Sequence, residues 1–361
     1  MDGGARSTDD AAIIYTSGST GKPRGAVLTH RSLIANTESI VQYLSADLGR
    51  SRDGDPAVLL RLREVAPQHS RVAGGSLIVG SDLLFPNSVL TRMQKEGATG
   101  FSGVPSTFAI LLNRSKLGEV DLPTLRYVTQ AGGAMAPDLT RRLMEKLPGK
   151  QIFVMYGATE ASARLSYLDP RELPRKLGSI GKAIPGVELR VLHENGTECA
   201  PREPGELVAR GENIMRGYWN APEETAAVLD TLGFHTGDLA FRDEEGFFYI
   251  VGRTREMIKC GANRISPLEI EEKLLAHDSV HEAAVIGVPD EILGEAIVAF
   301  VAPRGGATIE EQRLLEHLAA SLPEYKVPRT IVVRAELPKS GAGKIHKIGL
   351  KEAWLAEIRA G

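Results

Sequence analysis

The chain has 361 residues, of which 42% are hydrophobic and 25% charged, and its formal net charge is −3. This balance is typical of a globular protein with room for two or more domains, and the absence of a basic block argues against a nucleic-acid partner. The two cysteines, Cys199 and Cys260, lie far apart without a CxxC pattern, which argues against a disulfide framework and indicates a reduced, cytoplasmic compartment. No apolar run approaches the roughly 18 residues that a membrane helix needs.

The first half of the chain predicts alternating strands and helices. In chain order the elements are strand AAIIYTS, helix RSLIANTESIVQYL, helix FPNSVLTRMQKEG, strand ATGFSGV, helix PSTFAILLNRSKL, strand LRYVTQAGG, helix APDLTRRLMEKLPG and strand QIFVMYGATE. This rhythm predicts an α/β fold with a parallel-sheet core, in which ligands bind at the carboxyl ends of the strands. The loops TSGSTGKPRG, QAGGA and YGATEAS each follow a strand, so we expect them to converge on one edge.

The pattern changes near residue 178. GVELRVLHENGTE, GELVAR and GFFYIVGR alternate in hydropathy and are separated by turn signals, which predicts a β-rich subdomain over 178–252. After it come helix SPLEIEEKLLAH, strands EAAVIGVP and EAIVAFVAP, helix TIEEQRLLEHLAASLP, strand RTIVVRAEL and helix KIGLKEAWLAEIRA. We therefore predict a large domain over 1–253 and a small C-terminal α+β domain over 254–361.

The stretch YTSGSTGKPRGAVLTH, residues 15–30, is dense in small and hydroxyl-bearing residues. Free backbone N–H groups in such a loop can wrap a phosphate, and a Lys can neutralise it. It is not a Walker loop, because Thr16 stands where GxxxxGK[ST] requires its first Gly and Pro23 stands in place of its Ser or Thr. A flexible surface turn is the alternative interpretation.

Five motifs in a fixed order carry a family resemblance. YTSGSTGKPRG resembles the phosphate loop of the adenylate-forming superfamily, and MYGATEAS its Tyr-Gly-x-Thr-Glu loop. FHTGDLA resembles its Thr-Gly-Asp motif, VGRTREMIKCGANRISPLEIE its hinge, and LPKSGAGKIHK its C-terminal lysine motif. The chain is thus identified as a member of the AMP-dependent synthetase/ligase superfamily, of the acyl-CoA synthetase type. The resemblance implies conversion of a carboxylic acid, ATP and coenzyme A into acyl-CoA, AMP and pyrophosphate through an acyl adenylate, with Mg²⁺ as cofactor.

The resemblance also implies roles for individual residues. The nucleotide's β- and γ-phosphates would be held by the first loop, through Thr16, Ser17, Gly18, Ser19, Thr20, Gly21 and Lys22. Gly132, Gly133 and Ala134 would line the adenine and acyl pocket.

In the second loop Tyr156 would stack on adenine, with Gly157 beside it. Thr159 would hydrogen-bond the α-phosphate, and Glu160 would ligate Mg²⁺. By itself, an acid at a helix N-terminus is the more common explanation for Glu160.

The later motifs complete the implied site. Asp238 would accept hydrogen bonds from the ribose hydroxyls, and Arg253 would complete that contact. Arg255 is the implied hinge residue. Rotation about it would present either Lys344 for adenylation or the thiol tunnel at Gly261 and Arg264 for acyl transfer.

Three questions stay open on the sequence. The acid is predicted to be fatty or aryl, although Arg164 in SARLSYL admits one with a second polar group. The expected acceptor is CoA, with the phosphopantetheine of an acyl carrier protein as the alternative. A non-catalytic remnant that binds a nucleotide or a partner is the alternative to an enzyme.

The sequence departs from the family pattern in two places. Family members carry a further N-terminal subdomain before the first loop, so we expect an incomplete large domain with uncovered apolar strand faces. Residues 60–71, including REVAPQHSR, do not resemble the family at all. Our hypothesis is that this short segment is read in a shifted frame.

Overall fold

The computed structural model describes residues 6–16, 23–48, 57–60, 76–79, 85–305, 307–339 and 345–360. The chain divides into two compact units. The first comprises Met1–Met135, Arg142–Thr236 and Ala240–Ile250, and the second comprises Ala136–Arg141, Gly237–Leu239 and Val251–Gly361. Residues 60–71 of the frame-shift hypothesis lie outside the described residues except for Leu60.

The strands up to residue 253 are β1 (Asp10–Thr16), β2 (Arg24–Thr29), β3 (Ala57–Leu60), β4 (Ser76–Val79), β5 (Gly100–Gly103), β6 (Tyr127–Gln130), β7 (Gln151–Tyr156), β8 (Ser166–Leu168), β9 (Lys182–Ala183), β10 (Val187–Leu192), β11 (Gly205–Gly211), β12 (Gly217–Tyr218), β13 (Phe234–Arg242) and β14 (Phe248–Arg253). The helices in this part are α1 (His30–Leu48), α2 (Pro86–Lys95), α3 (Pro105–Arg114), α4 (Pro137–Lys146) and α5 (Pro222–Ala226).

The main sheet of the first unit has the order β4-β3-β5-β6-β7-β8-β9. Its pairs are parallel from β4 to β7, and β8 and β9 add antiparallel strands at one edge. Proline at the first turn of α2 and α3 lacks the N–H that would be unpaired there, which explains why these helices begin where they do. The predicted α/β class with a parallel-sheet core is confirmed.

The first loop belongs to a different sheet from the one expected. Strands β1 and β2 form an antiparallel hairpin in which Thr16 pairs with Arg24, and β12 extends it on the far side of β2. The expectation that all three loops follow strands of one sheet is wrong for this loop. The apolar run AVL, whose side chains are all buried, forms a strand of its own between the loop and α1.

The β-rich segment forms a four-stranded sheet of order β10-β11-β13-β14, as predicted for that stretch. Its inner face is packed with apolar side chains, including Leu189, Leu207, Phe234 and Phe248. Between β10 and β11 the chain makes an antiparallel pairing that runs from Val187 opposite Gly211 to Leu192 opposite Glu206.

The second unit contains strands β15 (Ile258–Cys260), β16 (Asn263–Ile265), β17 (Val280–Asp290), β18 (Gly294–Pro303) and β19 (Thr330–Val333). Its helices are α6 (Pro267–Leu275), α7 (Glu311–Ala319) and α8 (Lys347–Ala360). The sheet order is β16-β15-β18-β17, with β19 also paired to β18. Alternate residues of β17 enter two separate cores, Val285 on one face and Ala284 on the other, because side chains of a strand alternate between faces. No helix in the described residues is long and apolar enough to cross a membrane.

Candidate active site

The loop between β7 and β8 is held by contacts within itself and with other segments. It contains a 3-10 turn, Thr159–Ala161, followed by Ser162 and Ala163 with φ of 53° and 95°. Positive φ is unusual for residues other than Gly and persists only where the surroundings impose it. Here the Leu165 N–H donates to the Tyr156 carbonyl at 2.9 Å and folds the loop back on its own strand.

Close packing within this loop explains the Gly of YGATE. A Cβ on Gly157 would lie 2.1 Å from the carbonyl oxygen of Ala163 and 2.8 Å from the Cα of Arg164. Two side-chain amides hold the far end, since Asn36 Nδ2 and Asn213 Nδ2 donate to the Arg164 carbonyl at 2.8 and 2.9 Å. The sequence reasoning missed both asparagines.

Glu160 is held by a residue that the sequence reasoning also missed. The Tyr218 hydroxyl donates to Glu160 Oε1 at 2.7 Å, and the Met215 N–H donates to the Glu160 carbonyl at 2.7 Å. The Arg24 guanidinium lies over the Tyr218 ring, 4.5 Å from its centroid. The aromatic pair in GYWN was the available signal, but nothing in the sequence links it to a residue so far upstream.

These contacts bring the base of the first loop to Glu160. Thr16 is the last residue of β1 and Arg24 the first of β2, and the Thr16 hydroxyl lies 3.5 Å from the Arg24 carbonyl. Strand β2 also contacts the 3-10 turn that carries Thr159 and Glu160. The remaining phosphate-loop residues of the sequence prediction lie outside the described residues: Ser17, Gly18, Ser19, Thr20, Gly21 and Lys22.

The QAGGA segment follows β6, the parallel neighbour of β7, so both loops leave the same sheet edge. Gln130 is fully buried, and its Nε2 donates to the Gly133 carbonyl at 2.8 Å. Gly132 has φ of +84°, and Gly132, Gly133 and Ala134 are exposed. The buried Gln130 side chain therefore holds the turn, and the small exposed residues leave its backbone open to a ligand.

Within the second unit the two predicted ribose residues are paired. Arg253 Nε donates to Asp238 Oδ1 at 2.8 Å. The Asp238 side chain is buried and that of Arg253 is exposed, so an ion pair marks the point where β13 and β14 run side by side.

The remaining predicted residues also lie in the second unit. Arg255 is exposed in the 3-10 turn Thr254–Glu256. Gly261, with φ of +59°, begins the two-residue turn between β15 and β16, and Arg264 follows on β16 opposite Lys259. Lys344 lies outside the described residues.

The described residues on the two sides of 340–344 pair with each other. Lys339 forms a bridge with Ile345, and the His346 N–H donates to the Pro338 carbonyl at 2.8 Å. Directly after it, Lys347 pairs with Glu271 at 2.8 Å and Glu256 at 3.3 Å. Burial alone lowers the pKa of Lys347, but the two carboxylates outweigh it and raise that pKa above its ordinary value.

Family comparison agrees with this geometry. The sequence model described as AMP-binding enzyme matches residues 4–219, and that described as AMP-binding enzyme C-terminal domain matches residues 269–344. The chain belongs to the AMP-binding enzyme family. The superfamily resemblance of the five motifs is thereby confirmed.

Relatives in this family include enzymes that act on different acids. A feruloyl-CoA synthase from Amycolatopsis sp is 35% identical over 342 residues, covering 94% of this chain and 69% of its own. A long-chain-fatty-acid–CoA ligase from Bacillus subtilis is 35% identical over 357 residues, covering 95% of this chain and 62% of its own. The chain therefore spans about two thirds of the length of these AMP-binding enzymes.

A solved AMP-binding enzyme shares the fold as well. ATP-bound MatB from Rhodopseudomonas palustris superposes with a TM-score of 0.86 at 31% identity, over 97% of this chain and 69% of that one.

Proposed function

We propose that this chain activates a carboxylic acid with ATP and transfers the acyl group to CoA. The observation that carries the proposal is the assembly at Glu160, whose carboxylate is fixed by Tyr218 beside Arg24 at the base of the hydroxyl-rich first loop. Charge-stabilising groups that are fixed before reaction are what a phosphate transition state requires. Further support comes from the CoA-ligase names of the relatives and from the ATP in a solved neighbour.

Glu160 suits Mg²⁺. Tyr218 occupies Oε1, no hydrogen bond to Oε2 is found among the described residues, and Glu160 is only partly buried, so Oε2 can accept a cation. Mg²⁺ is commonly bound through one or two carboxylates together with substrate phosphates and water. When bound, the ion would neutralise charge on the phosphates.

In the proposed first step a carboxylate oxygen of the acid attacks the α-phosphorus of ATP. The bond from that phosphorus to the bridging oxygen breaks, and pyrophosphate leaves. Thr159, Lys22 and Lys344 are the residues proposed to stabilise the charge that spreads over the phosphate oxygens. Asp238 and Arg253 are proposed to orient the ribose.

In the second step the thiolate of CoA attacks the acyl carbonyl carbon, and AMP leaves. Arg255 is the proposed hinge residue between the two half-reactions, and Gly261 and Arg264 are proposed to border the path of the thiol. A carrier-protein phosphopantetheine would react by the same chemistry, so the acceptor is decided by assay.

The test measures pyrophosphate release with a panel of fatty, aryl and dicarboxylic acids, followed by acyl-CoA formation by mass spectrometry. Glu160→Gln and Lys344→Ala are each expected to lower the adenylation rate by about 100-fold, the usual loss when one charge-stabilising group is removed. Glu223→Gln, at an exposed position of α5, is the matched control and should retain the rate. Unchanged rates in both site variants would refute the site assignment, and no turnover with any acid would refute the proposal and favour a non-catalytic remnant.

A further inference from the structure

The guanidinium of Arg164 lies in the first unit with no acidic partner among the described residues. Its Nε donates to the Met155 thioether sulfur at 3.3 Å, and Nη1 donates to the Ala163 carbonyl at 2.9 Å. These contacts use two of the five N–H bonds of the group, and a thioether is a weak acceptor. Within the described part of the chain, nothing accepts from Nη2.

Two other cations of the described residues that are buried or half-buried have carboxylate partners. Lys176 Nζ lies 2.7 Å from Asp243 and 2.6 Å from Glu245, and Lys347 Nζ lies 2.8 Å from Glu271. Arginine cannot escape burial by losing its proton, so a desolvated guanidinium is strongly destabilising unless an anion accompanies it. No such anion faces Arg164 among the described residues, and Arg24 is a second arginine there whose buried Nε has no hydrogen-bond partner.

The Arg164 side chain is positioned rather than loose. Its carbonyl is held by two asparagine amides, and its Nε and the Tyr43 hydroxyl both contact Met155 Sδ, at 3.3 and 3.6 Å. The Tyr43 ring stacks on Tyr167 with centroids 4.1 Å apart. Burial lowers the pKa of Arg164, although the residue as a whole is only partly buried.

The same loop carries the proposed reaction centre. Arg164 follows Thr159 and Glu160 by a few residues, and the loop turns back so that Arg164 packs on Gly157. The acid is proposed to lie between Thr159 and the guanidinium of Arg164. A carboxylate matches the planar fork of a guanidinium and can accept two parallel hydrogen bonds.

We infer that Arg164 binds a second carboxylate of the acid substrate, so that dicarboxylic acids are the preferred substrate class. The inference rests on the proposed function, since it concerns the acid of that reaction. The Tyr43 and Tyr167 rings would flank the carbon spacer between the two carboxylates.

The first experiment uses the 361-residue chain and pairs of acids that differ only in the second carboxylate: butanoate and succinate, hexanoate and adipate, benzoate and terephthalate. The ratio of kcat/KM for pyrophosphate release is measured within each pair. We expect at least one dicarboxylic acid to exceed its partner by about 100-fold, the effect of pairing a desolvated charge. A preference for the monocarboxylic acid in every pair overturns the inference and leaves the proposed function intact.

The second experiment changes the residue. Arg164→Met should remove the preference, chiefly through KM, while Arg164→Lys should restore part of it. Arg190→Met is the matched control, because Arg190 is also a partly buried arginine of the first unit. An equal loss of activity toward both acids of a pair would assign Arg164 a purely structural role and overturn the inference.

A binding measurement separates the two proposals. The melting temperature is recorded with succinate, adipate or terephthalate alone, without ATP. A rise in the wild type that is lost in Arg164→Met supports the dicarboxylate site even if no acid is turned over, in which case only the proposed function fails. No rise and no turnover with any dicarboxylic acid contradicts the inference.

Discussion

At the scale of single residues, the candidate site depends on which charges have partners. The hydroxyl of Tyr218 orients Glu160, and the guanidinium of Arg253 orients Asp238. Neither carboxylate pairs with a buried lysine among the described residues. Their motifs were recognisable in the sequence, and their identities were predicted. The role of Tyr218 was not predicted, because its contact with Glu160 joins positions separated by 58 residues that only folding brings together.

His235 provides a test of electrostatics away from the site. Its Nδ1 lies 2.8 Å from Glu206 and its Nε2 3.1 Å from Asp230. Partial burial lowers the pKa of His235, but the two carboxylates outweigh it and raise the pKa above the ordinary 6.5. A raised pKa means that protonated His235 stabilises the fold fully below pH 6.5. The contribution is lost as pH rises above that value through the folded pKa.

We therefore expect His235→Asn to lower the free energy of unfolding more at about pH 6 than at about pH 9. Urea unfolding at both pH values measures this difference. His193→Asn is the comparison, since His193 faces a single carboxylate, Glu203, at 3.4 Å. If His235→Asn lowers the free energy of unfolding equally at both pH values, His235 stabilises the fold by packing rather than by charge.

At the scale of elements, the β7–β8 loop shows how a short motif becomes a rigid support. The sequence predicted a strand that runs into a loop, and the structure has β7 ending at Tyr156. What it could not predict is the return of the loop onto Gly157, because that contact depends on β8 pairing antiparallel to β7. In the same way, the residues AVL do not by themselves reveal that β2 pairs with β1.

Gly157→Ala tests the loop. The new Cβ would meet backbone atoms of Ala163, which cannot move without opening the loop, so we expect a destabilisation of about 2 kcal/mol or more and a loss of adenylation. Gly149→Ala is the control, because nothing lies within 4 Å of its Cβ and only its φ of +74° opposes the change, at about 1–2 kcal/mol. Chemical denaturation and pyrophosphate release are the measurements. Equal stability of both variants, with full activity, would contradict the packing argument.

At the scale of the whole molecule, the chain has two units, each with cores of its own. In the second unit β17 and β18 are buried on both faces, with Val285 and Ala299 in one core and Ala284 and Phe300 in the other. Phe300 is 1% exposed and meets the Trp354 ring edge-on at 5.9 Å. A core that is internal to one unit should confine the effect of a cavity to that unit.

Phe300→Ala is expected to lower the stability of the second unit by about 3–5 kcal/mol, the usual result of emptying a buried phenylalanine site. Hydrogen exchange read by mass spectrometry should show faster exchange in β17 and β18 and unchanged exchange in β6 and β7. Ile292→Ala, at a position that is 88% exposed, should leave both units unaffected. Faster exchange throughout the chain would mean that the units unfold as one.

The sequence by itself determined the element types, the α/β class and the order of the nucleotide motifs. These depend on local signals: proline at helix starts, alternation in strands, and glycine and hydroxyl residues in loops. Tertiary structure alone decided that Tyr218 orients Glu160, that β2 separates the first loop from α1, and that the partly buried Arg164 contacts Met155 without an acidic partner among the described residues. The physical reason is that hydrogen-bond partners, strand pairing and burial depend on contacts between distant positions, which local composition does not encode.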